Sequence, residues 1–157
     1  MNFCFIAIGK PHDLYVKTGV ETFTNRIAKY YDVKWKIIAP VKNAALLSAQ
    51  ELKKKEAEAI QKIIQKDDYL IALDEKGKSF TSMQFAQFLQ ERANISTKQI
   101  LFLIGGAFGL DNSILQSADE KLTLSTFTFP HQLVRLILAE QIYRACTIMR
   151  NEKYHHS

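Results

Sequence analysis

Three short apolar runs, each stopped by a glycine or a charged turn, constrain this chain more than anything else in it. Residues 3–8 run Phe-Cys-Phe-Ile-Ala-Ile into Gly9, residues 69–73 run Tyr-Leu-Ile-Ala-Leu into Asp74, and residues 99–104 run Gln-Ile-Leu-Phe-Leu-Ile into Gly105-Gly106. Such runs have no polar face to give to water, so each reads as a strand covered on both sides. Between them lie stretches of helical period. Val20, Phe23, Ile27 and Tyr30 recur every three or four residues, and residues 44–65 are rich in helix formers, with Leu47, Leu52, Ala59, Ile60, Ile63 and Ile64 as inward candidates. Residues 33–39 alternate Val33, Trp35 and Ile37 with lysines and close at Pro40, the pattern of another strand. The expectation is an α/β fold with a largely parallel sheet flanked by helices.

The remaining elements follow the same alternation. Asp74 to Lys78 reads as a turn. Thr81 and Gln84 have capping-box spacing and open a helix over residues 83–92. A short helix is expected over 111–118, a strand over 121–125, and a long helix over 132–149 behind Pro130. No repeat, low-complexity stretch or linker interrupts the 157 residues, which read as a single domain over 1–157.

Composition excludes several classes. No apolar run approaches the roughly 20 residues of a membrane span, and the opening residues are too short and uncharged for a secretory signal. Two cysteines, Cys4 and Cys146, have no metal-ligand spacing, so no zinc site and no metal are expected, and a cytoplasmic setting is. A net charge of +5 permits an anionic partner without demanding one.

In parallel sheets, ligands bind on the loops beyond the carboxyl ends of the strands. Two such loops carry most of the chemistry. Gly105-Gly106-Ala107-Phe108-Gly109 holds half of the six glycines, which leaves backbone amides open to a ligand. It is neither G-x-G-x-x-G nor a Walker loop, and a tight strand-to-helix turn explains it equally well. Leu124, Ser125, Thr126, Phe127, Thr128 and Phe129 alternate apolar groups with hydroxyls, as an edge strand or as the wall of a pocket for an aromatic ring. On the long helix, Glu140 and Arg144 have the i,i+4 order of an intrahelical pair. Leu133, Val134, Leu136, Ile137 and Leu138 surround its first turns with apolar side chains, and a second subunit is the expected cover. Lys53-Lys54-Lys55, flanked by Glu51, Glu56 and Glu58, reads as a solvated face. The terminal Tyr154-His155 is either a plain solvated tail or tag remnant, or a pair able to stack on or hydrogen-bond a nucleobase.

Taken in order, these motifs form a pattern. Leu103 to Leu110, then Leu124-Ser125 through Thr128-Phe129-Pro130-His131-Gln132-Leu133-Val134-Arg135, then Leu138-Ala139-Glu140-Gln141-Ile142-Tyr143-Arg144-Ala145, and finally Tyr154-His155 resemble the ribosomal RNA large-subunit methyltransferase H family. These are pseudouridine N3-methyltransferases of the SPOUT superfamily. The likeness runs end to end, from Ala7-Ile8-Gly9-Lys10 through the Leu73 strand. It implies a deep C-terminal trefoil knot, a homodimer, S-adenosyl-L-methionine as cofactor, and a large-subunit (23S) ribosomal RNA substrate on the assembled ribosome. Carried over by position, it implies cofactor contacts at Leu73, Gly105 and residues 124–129. The same reading takes His155, Tyr154 and Arg135 as catalytic candidates, His155 for the proton and the other two for placing the base. Two positions depart from the pattern: His156-Ser157 follows Tyr154-His155 where a basic residue is usual, and Ala107-Phe108 puts a bulky aromatic in the glycine loop. The alternatives are a SPOUT enzyme acting on transfer RNA or another base, and a non-catalytic ribosome-binding α/β module.

Overall fold

The computed structural model describes residues 1–156; Ser157 lies outside them. Five strands form one sheet: β1 (Asn2–Ile8), β2 (Val33–Ile38), β3 (Asp68–Ser79), β4 (Gln99–Ile104) and β5 (Glu120–Thr123). Their order across the sheet is β2-β1-β4-β3-β5, and every neighbouring pair is parallel. The expected α/β class and parallel sheet are therefore present.

Five helices cover the sheet: α1 (Leu14–Ile27), α2 (Ala49–Gln61), α3 (Ser82–Asn94), α4 (Asn112–Ser117) and α5 (His131–Met149). The two-residue period of each strand divides the core into two layers. Phe3, Phe5, Phe85, Ile100, Phe102 and Leu138 belong to the face covered by α1, α3 and α5. Cys4, Ile6, Ala57, Leu101, Leu103 and Ile114 belong to the opposite face, covered by α2 and α4. The Phe5 ring stacks at 4.4 Å on Trp35 and 5.4 Å on Phe102. Burying each such ring contributes about 1.5–3 kcal/mol.

Three boundaries differ from the sequence reading. The stretch expected as one helix over 44–65 is a short 3-10 turn followed by α2, because Ser48 accepts the Glu51 N–H at 3.2 Å and caps a new helix. The turn expected at 74–78 is extended chain inside the twelve-residue β3. Leu73 and Lys78 both register with Leu122 of β5, so the residues between them leave the ladder and then rejoin it. Gly77 makes this possible, since a Cβ there would lie 2.6 Å from the Leu122 nitrogen. β5 itself stops at Thr123, two residues earlier than expected, which leaves residues 124–130 as a loop. The Thr81–Gln84 capping box is formed as read.

Helix α5 packs against α1 and α3 as well as against the sheet. Its nearly all-round apolar surface is thus largely covered within one chain. Gly19 of α1 gives Leu136 room, for a Cβ there would meet the leucine Cδ1 at 2.5 Å.

Candidate functional site

Strand register brings the expected cofactor positions to one edge. β4 pairs with β3 (Leu103 opposite Ala72), and β3 pairs with β5 (Leu73 opposite Leu122). Gly105 and Leu124 therefore follow the carboxyl ends of β4 and β5, and Leu73 lies within β3 where its pairing with β4 has ended and its ladder with β5 is interrupted. The connections then diverge. α1 and α3, which follow β1 and β3, lie on one face of the sheet, whereas α4, which follows β4, lies on the other. A crevice opens wherever neighbouring strands send their chains to opposite faces. The glycine loop after β4 is bounded by two: one towards β3 and β5, one towards β1.

The crevice on the β3 side is built from backbone. Gly106 and Gly109 form an isolated antiparallel bridge, with the Gly109 N–H donating to the Gly106 carbonyl at 3.1 Å. Gly105 lies so close beneath that bridge that a Cβ would stand 2.6 Å from the Gly109 carbonyl carbon and 2.9 Å from the Leu110 nitrogen. Gly109 has φ +81°, a left-handed conformation that glycine adopts without cost. In the loop after β5, the Ser125 hydroxyl accepts the Phe127 N–H at 3.0 Å, and Thr123 donates to the Ser125 carbonyl at 2.9 Å. One serine hydroxyl is thus engaged in shaping its own loop. Leu73 and Leu124 are half-buried against the core, while Thr126, Phe127 and Thr128 are exposed. Phe127 is 79% exposed and Phe108 58%, so two aromatic rings on these loops stand largely in solvent.

On the β1 side lies a cleft of about 460 Å³, lined by Gly9 and Lys10 after β1, by Glu56 of α2, by Gly106 and Ala107, and by Pro130 to Gln132. Its β1 wall is tied to the start of α5. The Gln132 side chain accepts the Asp13 N–H at 2.9 Å and donates to the Pro11 carbonyl at 3.2 Å. Arg135 is fully buried and donates to the Lys10 carbonyl at 2.9 Å, with His12 Nδ1 at 3.3 Å. Two further nitrogens of this guanidinium, Nε and Nη2, are buried without a partner among the described residues. Burial lowers the Arg135 pKa, and burial together with the neighbouring Arg135 lowers that of His12, which favours the neutral imidazole as acceptor.

The tail is docked elsewhere. Asn151 adopts a left-handed conformation after α5 (φ 55°) and turns the chain back along the helix. The Tyr154 hydroxyl donates to Glu140 at 3.1 Å, and Arg144 lies over the Tyr154 ring at 4.8 Å and approaches His155 Nδ1 at 3.2 Å. Tyr30 donates to Glu152 at 2.6 Å, an attachment that pushes the Tyr30 pKa up to about 12. The intrahelical Glu140–Arg144 pair is present as read and also holds the tail. With a rise of about 1.5 Å per residue, these anchors stand roughly 14–20 Å along α5 from His131. The tail is thus held beside Glu140 and Arg144, five and nine residues beyond Arg135 on α5, while Arg135 itself is turned to the Lys10 loop.

Glu56 departs from the sequence reading. The lysines around it do form a polar helix face, with Lys54, Lys55, Glu51 and Glu58 exposed, but Glu56 is only 7% exposed. Leu52, Glu56 and Ile60 are spaced by four and share one side of α2, which was the available signal. Among the described residues no group of three or more His, Cys, Asp or Glu side chains is placed to hold a metal, and no helix is long and apolar enough to cross a membrane.

The whole chain has known relatives. Residues 1–155 match the family described as predicted SPOUT methyltransferases. A ribosomal RNA large subunit methyltransferase H from Parabacteroides distasonis is 43% identical over 156 residues, 99% of each chain. Its namesake from Cytophaga hutchinsonii is 44% identical over 149 residues, 95% of this chain and 96% of the relative. Among solved structures, a probable methylase family protein from Haemophilus influenzae superposes with a TM-score of 0.55 at 14% identity. That likeness covers 99% of this chain and 71% of the other, and it concerns the fold.

Proposed function

Since this chain belongs to the SPOUT methyltransferase family, we propose that it methylates N3 of a pseudouridine in large-subunit ribosomal RNA, using S-adenosyl-L-methionine, on the assembled ribosome. The observation that carries the reading is the placement of Gly105 and residues 124–129 just past the ends of β4 and β5, with Leu73 on β3 between them where its pairing with β4 has ended. The loop fits the proposed cofactor: Gly105 lets it close tightly on its own backbone, and Gly109, where a Cβ would meet nothing within 4 Å, leaves backbone open to a ligand. When bound, that cofactor supplies a methyl group already activated by a cationic sulfur.

The chain's own task is then alignment, which is worth roughly 7–11 kcal/mol in favourable cases. Gly105 and the hydroxyl-rich loop hold one reactant, and Lys10, fixed through Arg135 and Gln132, forms part of the wall for the other. His155 is the candidate acceptor for the N3 proton, and Tyr154 a candidate for placing the base. Both are anchored about 14–20 Å along α5 from His131, so they serve that site best from a second subunit. The homodimer in this proposal rests on that separation rather than on the apolar surface of α5. Arg135 contributes as a positioning residue, acting through the loop it binds. A single domain over 1–157, the trefoil knot, and a cytoplasmic location belong to the same proposal, as does the absence of a metal requirement.

The test is methyl transfer from labelled S-adenosyl-L-methionine to assembled ribosomes and to a naked RNA hairpin of the same sequence. Incorporation into ribosomes, weak incorporation into the hairpin and saturable cofactor binding by calorimetry are expected. No binding heat at high protein concentration would favour the non-catalytic module instead, and equal rates on both RNAs would remove recognition of the assembled particle.

A further inference from the structure

None of the proposed cofactor positions, Leu73, Gly105 and residues 124–129, lines the cleft on the β1 side of the glycine loop. The cleft nonetheless has the marks of a ligand site. It occupies a point where the chains leaving β1 and β4 part to opposite faces, and its volume of about 460 Å³ suits a small organic group. Glu56 lies on its wall, only 7% exposed as a residue, with its carboxylate oxygens still open to the cleft and no hydrogen bond or ion pair to them among the described residues. A Cβ on Gly106 would approach Glu56 Oε2 to 3.0 Å, so this acceptor stands directly against the glycine loop. Burial alone shifts its pKa, upwards, with no cation to offset the cost. Its oxygens keep contact with the cleft, where an N–H donor of a bound ligand can reach them. The mouth of the cleft adds an exposed Tyr15 (63%), able to stack on a base, and Lys10, able to meet a phosphate.

We propose that this cleft receives the target nucleoside and that Glu56 accepts a hydrogen bond from N1–H of its base. The inference rests on the pseudouridine reading above and adds its basis for specificity. N3 must be presented to the methyl donor, so a side chain fixed beneath the loop engages the other N–H of the ring. That donor is what distinguishes pseudouridine from uridine, in which N1 carries the ribose and has no hydrogen. A uridine in the same place would leave the carboxylate facing a C–H group and still unpaired, which is the strongest form of discrimination a buried polar group offers.

The experiment compares wild type, Glu56→Gln and Glu56→Ala on large-subunit particles carrying either pseudouridine or uridine at the target position. Cofactor affinity and melting temperature are measured on the same preparations. Glu56→Ala is expected to lose roughly 10- to 100-fold in kcat/KM on the pseudouridine substrate, the usual loss for a hydrogen bond to a charged group. Its rate on uridine should not change, so the preference narrows by the same factor. Glu56→Gln, which keeps an acceptor oxygen, should fall between. Cofactor affinity should stay within about twofold for both variants, and both should melt close to wild type, since the Glu56 oxygens border the open cleft. A wild-type preference retained in Glu56→Ala overturns the proposal. So does a parallel fall in cofactor affinity, which would assign Glu56 to the cofactor, or a lower melting temperature for Glu56→Gln, which would assign it a structural partner. A wild type inactive on both particles defeats the functional reading itself, an outcome distinct from failure of the Glu56 variants alone.

Discussion

Gly105→Ala adds one methyl group at the tightest point of the glycine loop. The new Cβ would stand 2.6 Å from the Gly109 carbonyl carbon, 2.9 Å from its oxygen and 2.9 Å from the Leu110 nitrogen. Carbon atoms pack comfortably at about 3.5–4.0 Å, so something must move by roughly 1 Å. All three obstructing atoms are backbone, and no rotamer change relieves them. The loop itself has to shift, and with it the Gly109–Gly106 hydrogen bond of 3.1 Å. Overpacking of this kind costs about 1–3 kcal/mol of stability, while a displacement of about 1 Å in a positioning element costs on the order of 100-fold in rate. Gly106→Ala is the matched control, since its Cβ meets only the Glu56 side chain. Calorimetry with S-adenosyl-L-methionine on both variants, beside thermal melts, separates the two effects. Gly105→Ala should lose cofactor affinity by at least tenfold and Gly106→Ala should bind much as wild type does. Cofactor affinity within about twofold of wild type for Gly105→Ala would refute the claim that this backbone cradle holds the cofactor.

Other expectations concern the tail and the β1 loop. Tyr154→Ala and His155→Ala should leave cofactor affinity largely intact and cut methylation by roughly 10²- to 10⁴-fold where a proton acceptor is lost; undiminished methylation in both removes the tail from the mechanism. Glu140→Ala deletes the carboxylate that binds both Tyr154 and Arg144, so amide exchange over residues 150–156 should accelerate while α5 stays protected, and unchanged exchange would show that the tail is held by other contacts. His12 has its pKa lowered by burial and by Arg135, so the folded state resists protonation. The stability this contributes is present above the ordinary histidine range and is lost as pH falls below about 6.5 towards the lowered value. Melting temperatures from about pH 7.5 to about pH 5 should therefore fall more steeply for wild type than for His12→Gln, and parallel curves would contradict it.

The legible parts of the fold are those where local pattern and tertiary environment agree. β1 and β4 are apolar on both sides because helices cover both, so their runs could be read directly. The Thr81–Gln84 capping box is complete within four residues and needs no distant partner. Residues 74–79 were not legible. Asp-Glu-Lys-Gly has the composition of a turn, and only pairing with β5, with Gly77 admitting the Leu122 backbone, keeps the chain extended. Ser48 and Glu51 had the spacing of a cap, but strong helix formers on both sides concealed it. At the site, the loops were placed by their position after strands, which is a property of the fold class rather than of the residues. Glu56 was hidden by its neighbours: three lysines and two exposed glutamates make the segment look solvated, and only its register with Leu52 and Ile60 turns it inwards. Arg135 was a candidate for placing the base; that its guanidinium is fully buried and bonded to the Lys10 carbonyl depends on a contact 125 residues away, which no local pattern shows.

The central claim concerns one methyl group on one ribosomal nucleoside, and it is tested most directly by mass spectrometry of large-subunit ribosomal RNA. RNA from a strain lacking this protein is compared with RNA from the same strain carrying the gene again. The account predicts that one N3-methylpseudouridine becomes unmethylated pseudouridine in the deletion and returns on complementation, and that the Gly105→Ala protein does not restore it. An unchanged nucleoside profile, or a methyl lost from transfer RNA instead, would contradict it.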